Sequence, residues 1–307
     1  MQYELLHRYI WLVDTIRRHG RITLDEINSQ WLLASMSNGK PFSRRTFFNY
    51  RNAAQRLLGV YIDCDLSTYE YFIEQQGEGR LSLNDWLLDS MSINETLRDS
   101  RDMANRVVLE NVPSAREHLP TIIDAMRQDV RVRFSYKAHT RVNRTAGIVI
   151  EPYFVKIFKQ LWYVIGYNVK DGKIKTYALD RISDLNILAQ EHFKMPEGFS
   201  PAAFFSDCFG ITTNQNEPKR ITLRVEPTQA KYFRALPLHP SQTEEIHDSY
   251  SLFNYRMRIT YDLKEEIMSH GSAVEVVAPP ELKALIVEEL RQALHNYQPT
   301  STPTTGK

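Results

Sequence analysis

The hydrophobic spacing of the chain changes from a helical period to a strand period, and this change restricts the folds open to it. The amino-terminal apolar residues at helical spacing are Leu5, Leu6, Tyr9, Ile10, Leu12, Val13 and Ile16. The later apolar residues that alternate with polar ones are Val130, Val132, Phe134 and Tyr136. A length of 307 residues predicts two or three domains. We therefore expect an α+β multidomain protein.

Two helices are predicted in the first 36 residues. The first runs from about Tyr3 to His19 and ends on Gly20, which suits the C′ position. Thr23 and Glu26 have the spacing of a capping box and begin the second helix. The side chains predicted to lie on the inner face of this second helix are Ile27, Trp31 and Leu32.

A third helix follows the turn at residues 37–41. Ser43 is its predicted N-cap, the helix covers 44–58, and Gly59 ends it. The predicted inner face consists of Phe47, Tyr50, Ala54, Leu57 and Leu58. The outer face consists of Arg45, Asn49, Asn52 and Arg56, at spacings of four, three and four.

Two β-rich runs after this helix, 60–64 and 69–74, are separated by a four-residue turn and predict a hairpin. Three helices followed by a hairpin is the order of a winged helix-turn-helix, whose third helix enters the major groove. There Arg bonds guanine and Asn bonds adenine bidentately. The predicted DNA-binding residues are Arg44, Arg45, Asn49, Asn52 and Arg56 for bases, and Arg17, Arg18 and Arg21 for phosphate. The alternative is an ordinary solvated helix face.

Charge supports the DNA hypothesis only when it is counted by segment. The whole chain has 38 Lys and Arg against 37 Asp and Glu, a formal charge of +1, which by itself disfavours a strongly basic nucleic-acid binder. However, residues 1–60 contain 9 cations and 4 acids, and residues 131–182 contain 11 cations and 3 acids. The segments 61–130 and 183–307 are acidic, so their negative charge cancels the positive charge of both basic blocks in the total.

Between the basic blocks, residues 81–118 combine helical apolar spacing with acidic residues and a proline. This pattern predicts a helical linker. The linker is either a spacer or a surface that packs against a second copy. A homodimer is expected in either case, because one helix-turn-helix contacts few base pairs and paired half-sites supply specificity.

The second basic block contains short strand-like runs with a recognisable set of motifs. Trp162-Tyr163-Val164-Ile165-Gly166-Tyr167 is followed by Gly172-Lys173-Ile174-Lys175-Thr176-Tyr177-Ala178-Leu179-Asp180-Arg181-Ile182. Upstream are Phe134-Ser135-Tyr136 and Glu151-Pro152-Tyr153. Together these segments, over about 122–188, resemble the WYL domain family. Two departures from the family pattern are Val164 in place of the usual Leu and Lys175 in place of a frequent Arg. The second removes a planar guanidinium group that could bind phosphate bidentately.

The resemblance implies a three-part transcriptional regulator. Its WYL domain would be an Sm-like small β-barrel that senses a ligand, in several members nucleic acid, and signals to a DNA-binding domain. Strand and helix patterns beyond residue 205 are similar to the C-terminal extension of this family, a small α+β (ferredoxin-like) domain. Some regulators of this build lie beside phage-defence genes. The predicted divisions are a winged helix-turn-helix at 1–80, a linker at 81–118, the WYL barrel at 119–192, the C-terminal domain at 205–298 and a disordered tail at 299–307.

The residues themselves also predict an anion site in the barrel. Five cations within residues 131–144, without an acid, are interleaved with Tyr136 and His139. Guanidinium groups beside aromatic rings suit single-stranded nucleic acid or a nucleotide. The predicted ligand-binding residues are Tyr136, His139, Arg141, Arg144, Lys175 and Arg181. The alternatives are that Arg131 and Arg133 lie on an exposed strand face without binding a ligand, and that Arg181 forms an ion pair with Asp180.

Enzyme and metal functions have little support in the sequence. The nine histidines lack metal-ligand spacing, phosphate-loop, dinucleotide and hydrolase motifs are missing, and no cofactor is expected. Cys64 and Cys208 are too far apart for a redox pair, which, with no signal peptide or apolar span, favours a cytoplasmic, non-enzymatic protein. We therefore expect a sequence-specific DNA-binding regulator, more often a repressor. The alternatives are an RNA- or single-stranded-DNA-binding Sm-like adaptor without operator binding, and, least favoured, a nucleic-acid-processing enzyme.

Overall fold

A computed structural model describes residues 2–74, 90, 117–139 and 142–298. The chain divides into two compact units, residues 1–110 and 111–307, which are treated separately below. Within the described ranges, no helix is both long enough and apolar enough to cross a membrane. The predicted linker lies almost entirely outside the described residues, as does the predicted tail.

Residues 2–74 of the amino-terminal unit form three helices and a small sheet. Its elements are α1 (Gln2–His19), β1 (Arg21–Thr23), α2 (Leu24–Leu33), a 3₁₀ turn (Ser35–Ser37), α3 (Arg44–Leu58), β2 (Ile62–Cys64) and β3 (Glu70–Ile73). The predicted capping box is confirmed, because Thr23 accepts the Glu26 N–H while the Glu26 carboxylate accepts the Thr23 N–H. Ser43 caps α3, and Gly59 ends it at a φ of 65°, as predicted.

The strand β1 was not predicted from the sequence. Three residues are too few to show an alternating pattern, yet Arg21 pairs with Phe72 and Thr23 with Glu70 in the ladder. The resulting antiparallel sheet has the order β1-β3-β2 and joins the start of α2 to the hairpin.

Aromatic and aliphatic side chains from all three helices form one core in this unit, with Phe47 and Ile27 fully buried. Two predicted core residues are wrong: Leu32 is 45% exposed and Leu57 is 59% exposed. Each lies in the last turn of its helix, where the adjacent Trp31 or Leu58 takes the inward position. The helical pattern therefore identified the correct face but made it too wide.

The described part of the second unit begins with a helix and an antiparallel five-stranded sheet. Its first elements are α4 (Leu119–Arg127), β4 (Val130–Tyr136), β5 (Thr145–Phe158), β6 (Leu161–Asn168), β7 (Lys173–Ala178), a 3₁₀ turn (Leu179–Arg181) and β8 (Ile182–His192). The strand order is β7-β6-β5-β4-β8. Four of these strands were predicted, whereas β8 was missed because its exposed half carries few apolar residues.

This sheet is curled. Tyr136 on β4 and Tyr177 on β7 are separated by two strands in the ladder, yet their ring centroids lie 5.1 Å apart. The Ala178 N–H also donates a hydrogen bond to the Tyr136 hydroxyl at 3.3 Å. Such contacts require strands β4 and β7 to bend towards each other around a common core, which contains Phe134, Ile150 and Val164.

The carboxyl-terminal elements form an α+β domain around a four-stranded antiparallel sheet. After a short helix, α5 (Pro201–Phe204), they are β9 (Lys219–Val225), α6 (Pro227–Ala235), β10 (Thr243–Ile246), β11 (Ser251–Met257), α7 (Tyr261–Ser269), β12 (Val274–Ala278) and α8 (Pro280–Tyr297). The order is β10-β11-β9-β12. The strand predicted from Tyr250 to Tyr261 is too long, because Thr260 accepts the Leu263 N–H and so begins α7.

The segment between β8 and β9 is bound by side chains from both sheets' domains, on α7 and on β5. Asp262 on α7 accepts the backbone N–H groups of Ile211 and Thr212, both at 2.7 Å. On the other side, Lys156 of β5 donates to the Gly210 carbonyl, and burial lowers the pKa of this lysine. The connection is therefore ordered between the two sheets. We call its held residues, Gly210, Ile211 and Thr212, together with the Lys156 and Asp262 side chains that bind them, the clamp.

Candidate nucleic-acid interface and sensor surface

The outer face of α3 carries the predicted base-contacting side chains in an open position. All of these side chains are exposed: Arg44, Arg45, Asn49, Asn52 and Arg56. At about 100° per residue, Arg45, Asn49, Asn52 and Arg56 lie within one narrow stripe. Arg44 lies about 140° around the helix from Asn49, where its guanidinium carbon is 6.0 Å from the Phe48 ring centroid. The stripe thus contains four of the five predicted residues.

The inner face of α3 is fixed by contacts with α1 and the sheet. Phe47 is fully buried and packs edge-on against Tyr71 with 4.6 Å between ring centroids. Arg51 donates from Nε to the Ile62 carbonyl at 2.8 Å, and Arg8 of α1 donates to the Tyr50 hydroxyl at 3.2 Å. These contacts hold the exposed stripe in one orientation.

The predicted phosphate-binding arginines are less available than the α3 stripe. Arg18 forms a 2.8 Å ion pair with Asp14, and Arg17 is half-buried. Arg21 donates to the Asp65 carboxylate at 3.1 Å and lies 3.9 Å from Glu70. Phosphate binding by Arg18 or Arg21 would therefore have to compete with an intramolecular carboxylate.

The hairpin presents negative charge. Its acidic residues are Asp63, Asp65, Glu70 and Glu74, and the sequence from Leu57 to Gly79 contains neither Lys nor Arg. Hydrogen bonds from the Ser67 hydroxyl and backbone, followed by the one from Arg21, lower the pKa of Asp65 to about 2. The turn is consequently anionic at neutral pH and is poorly suited to phosphate contact.

In the five-stranded sheet, Tyr136 and Lys175 lie around Tyr177. Tyr136 is half-buried and packs on the Tyr177 ring, whereas Lys175 is exposed and forms an ion pair with Asp171. Asn168 donates to the Tyr177 hydroxyl at 2.7 Å, and burial raises the pKa of this tyrosine. Tyr136 therefore has a packing role, and Lys175 already has an acidic partner.

A second group lies on the outer face of β4 and β8. Arg144 donates to the Ser183 hydroxyl, and Ser183 is the ladder partner of Ser135. Arg133 is exposed two residues before Ser135 and therefore shares its face of β4, and the exposed Lys137 follows directly after the end of the strand. Arg133 and Ser183 were not among the predicted ligand residues, although the strand alternation placed Arg133 beside Ser135.

The remaining predicted ligand residues are dispersed. His139 is exposed just after β4, and Arg141 lies outside the described residues. Arg181 has a side chain 25% exposed, 3.9 Å from Asp180. Its buried Nε has no hydrogen-bond partner within the described part of the chain. The structure therefore brings only some of the predicted ligand residues together.

Arg131 is partly buried and paired with acidic side chains, so it does not simply lie on an exposed strand face. It binds Glu151 at 2.8 Å and lies 3.5 Å from Glu191, and the Glu151 carboxylate also accepts from the Tyr153 hydroxyl. Burial, and then the charge of Glu151, raise the pKa of Tyr153 to about 12. Arg133, by contrast, is exposed, as the alternative interpretation expected.

Trp162 and Tyr163 point to opposite faces of β6, and both are covered. Trp162 packs on the sheet core, while Tyr163 packs with Phe205 and Cys208 of the connecting segment. Burial raises the pKa of Tyr163. Both residues are therefore structural. Within the described residues, no group of three or more His, Cys, Asp or Glu is arranged to hold a metal ion.

Comparisons with known proteins confirm the resemblance found in the sequence. Residues 117–187 match the WYL domain family and residues 217–294 match the WCX domain family. No curated protein matches the chain.

Two solved structures show weak overall similarity. Proteasome accessory factor B/C (PafBC) of Arthrobacter aurescens is 17% identical with a TM-score of 0.37, over 98% of this chain and 49% of that one. A CRISPR Cas-related protein is 14% identical with a TM-score of 0.37, over 60% of this chain and 51% of that one. The matches therefore span about half the length of each of these proteins.

Proposed function

This chain contains a WYL domain followed by a WCX domain, and we propose that it is a sequence-specific DNA-binding transcriptional regulator. In this proposal α3 reads an operator, and the WYL domain binds an anionic ligand, a single-stranded nucleic acid or a nucleotide, that changes operator binding. Repression is the favoured outcome. The protein acts as a cytoplasmic homodimer and has no catalytic role.

The observation that carries the proposal is the separation of the two faces of α3. Phe47 and Ala54 are fully buried on one face, whereas Arg45, Asn49 and Arg56 are exposed on the other. A helix that is anchored by its inner face and presents Arg and Asn outward has the donor groups that major-groove base edges require. The element order of the unit supports a winged helix-turn-helix.

Topology supports the finer interpretation of the other two domains. Five antiparallel strands in the order β7-β6-β5-β4-β8, curled until β4 meets β7, are consistent with an Sm-like small barrel. The order β10-β11-β9-β12, with helices α6 and α7 as connections, is consistent with a ferredoxin-like βαββαβ domain.

The proposed ligand surface is the outer face of β4 and β8. It includes Arg133, Lys137 and Arg144, with Ser183 as a neutral neighbour. These cations provide phosphate contacts, and the nearby exposed His139 provides a stacking ring. A ligand here changes operator binding only if it binds one arrangement of the dimer more tightly than the other.

Selection of random duplex DNA by the full-length protein tests this function. We expect enrichment of an inverted repeat whose half-site centres are separated by about 10 base pairs or a multiple of that distance. Arg45→Ala should change the preferred bases within each half-site, whereas Gln55→Ala, on the same helix, should not. Failure to enrich any duplex sequence would contradict the proposal. Promoters of phage-defence genes are the first natural sequences to test.

An adaptor that binds single-stranded nucleic acid through the curled sheet, without an operator, is the second candidate. The basic face of β4 and β8 favours it as much as it favours a sensor. The two functions differ in α3, because an adaptor needs no exposed Arg and Asn stripe on that helix. Duplex selection therefore separates them.

A further inference from the structure

The sheet of the carboxyl-terminal domain has one face that the domain's helices leave uncovered. In β9, Ile221, Leu223 and Val225 are fully buried against the helices, so the residues between them point to the other face. The side chains on this open face of the central strands are Arg220, Thr222 and Arg224 of β9, and Leu252, Asn254 and Arg256 of β11. All three arginines are exposed.

Two of these arginines are direct cross-strand neighbours. Arg220 and Arg256 are ladder partners in the antiparallel β9–β11 pair, so their side chains leave the sheet side by side. Neither arginine has a carboxylate partner among the described residues. Like charges placed directly opposite each other destabilise a sheet. An anion bound between the two guanidinium groups would remove this repulsion.

The other end of the open face presents flat side chains. The Arg224 guanidinium carbon lies 4.5 Å from the Tyr250 ring centroid, and the His247 ring is stacked on Tyr250 with 4.5 Å between centroids. Arg224 also lies 3.6 Å from Glu275, which Lys283 binds at 3.0 Å. The carboxylate at this end therefore has two cations, and the aromatic rings lie beside a guanidinium plane.

The centre of the face is polar and internally satisfied. The Thr222 hydroxyl donates to the Asn254 side-chain oxygen at 2.8 Å, and the Asn254 amide donates to Glu245 at 2.9 Å. From Arg224 to Arg220 the strand advances four residues, or about 13 Å. A cation pair and an aromatic stack thus lie at opposite ends of this face of β9 and β11, about four residues apart along the strand.

We propose that this open face binds single-stranded nucleic acid. A phosphate would lie between Arg220 and Arg256, and a base would stack at the Tyr250 end, because single strands are bound by basic grooves that also offer π-faces. Four-stranded RNA-binding sheets use their open face in this way and stack two or three bases. This site is separate from α3 and from the face of β4 and β8.

Binding of fluorescent oligothymidine and oligouridine to the full-length protein, by anisotropy, tests the site. In a background of Arg141→Glu with Arg144→Glu, which removes the proposed sensor surface on β4 and β8, we expect Arg220→Ala with Arg256→Ala to weaken binding at least tenfold. The slope of log affinity against log salt should become shallower by about 0.7, since the variant loses the one phosphate contact between the two arginines. The matched control is Lys231→Ala with Arg291→Ala, which removes two exposed charges from helices of the same domain and should change affinity less than twofold.

Photo-cross-linking with thiolated oligonucleotides, followed by mass spectrometry, locates the contact. Cross-links to the segment 247–256 support the proposal. Cross-links confined to residues 130–187, no binding by the wild type, or equal losses in both double variants would overturn it. If the Arg220 and Arg256 variant changes the mass of the assembly in solution while oligonucleotide affinity is unchanged, the face is a protein interface and the proposal is wrong. Duplex selection through α3 is independent of all these outcomes.

Discussion

The Arg21 guanidinium donates a hydrogen bond to the Asp65 carboxylate, with 3.1 Å between Nη1 and Oδ2. This contact joins β1 to the turn of the hairpin. The sequence predicted that Arg21 binds phosphate, whereas in the structure its guanidinium binds a carboxylate. The guanidinium carbon also lies 4.7 Å from the Phe72 ring centroid. Arg21 therefore supports the hairpin within the unit, and in our proposal the α3 stripe makes the decisive DNA contacts.

The pKa of Asp65 should lie well below its ordinary value. Its pKa lies at about 2, compared with an ordinary value of 3.8, because Ser67 and then Arg21 bond the charged form. The stabilisation from this group is complete above the ordinary value and is lost as the pH falls through about 2. Carboxyl-detected NMR should show a midpoint near 2 in the wild type and a higher one in Ser67→Ala. An unchanged midpoint in that variant would contradict the assigned cause.

Replacing Arg131 with Ala should destabilise the second unit. The variant leaves the Glu151 carboxylate, whose side chain is 12% exposed, without its closest cation. Loss of one partner of a largely buried pair costs about 1 to 3 kcal/mol here, less than for a fully buried pair because Arg131 is partly solvated. Urea unfolding measures this loss. Arg133→Ala, at an exposed position two residues along the same face of β4, should change the free energy of unfolding by less than about 0.5 kcal/mol.

Gly210→Ala should disrupt the clamp between the two sheets. Gly210 has a φ of 82°, and an added Cβ would lie 2.4 Å from the Asp262 Oδ2 that accepts the Ile211 and Thr212 N–H groups. We expect a loss of about 2 to 4 kcal/mol from backbone strain and displacement of that carboxylate.

Gly198→Ala is the matched control for the clamp. Its φ of 76° imposes similar strain, but an added Cβ would meet no atom within 4 Å. Thermal unfolding should therefore show a clearly smaller effect, of about 1 kcal/mol. Equal effects of the two substitutions would mean that the clamp contributes nothing beyond backbone conformation.

Replacing Arg141 and Arg144 with Glu should abolish the response to the anionic ligand while sparing operator binding. Arg144 lies at the Ser135–Ser183 pair on the proposed sensor face. Operator affinity should be measured with and without an oligonucleotide ligand. Loss of operator binding itself, with the fold intact by circular dichroism, would contradict two separate sites.

The sequence predicted local structure best where one residue determines it. Thr23, Ser43 and Gly59 each have side-chain or backbone requirements that are visible in the sequence, and each helix boundary that they predict is confirmed. In contrast, the short strand β1 depends on pairing with β3, a distant segment, and no local pattern identifies it.

The sensor residues show the same limit. Charge and aromatic spacing predicted a basic barrel surface, but the sequence does not reveal that Lys175 has Asp171 as a partner or that the Tyr136 ring packs on Tyr177. The contact between the two tyrosine rings depends on how the sheet curls, and the ion pair depends on the geometry of the turn before β7. Likewise, the Arg220–Arg256 pair follows from a strand register that the sequence pattern leaves open.

The most direct test of the central claim compares α3 variants on the selected duplex over a range of salt concentrations. We predict that Arg45→Ala and Asn49→Ala each weaken operator binding about 5- to 150-fold, which corresponds to about 1 to 3 kcal/mol for one lost bidentate contact. Gln55→Ala, about 120° around the helix from Asn49, should stay within twofold. The wild-type slope of log affinity against log salt should be clearly negative. A flat slope, or equal affinities for all three variants and the wild type, would contradict DNA recognition by α3.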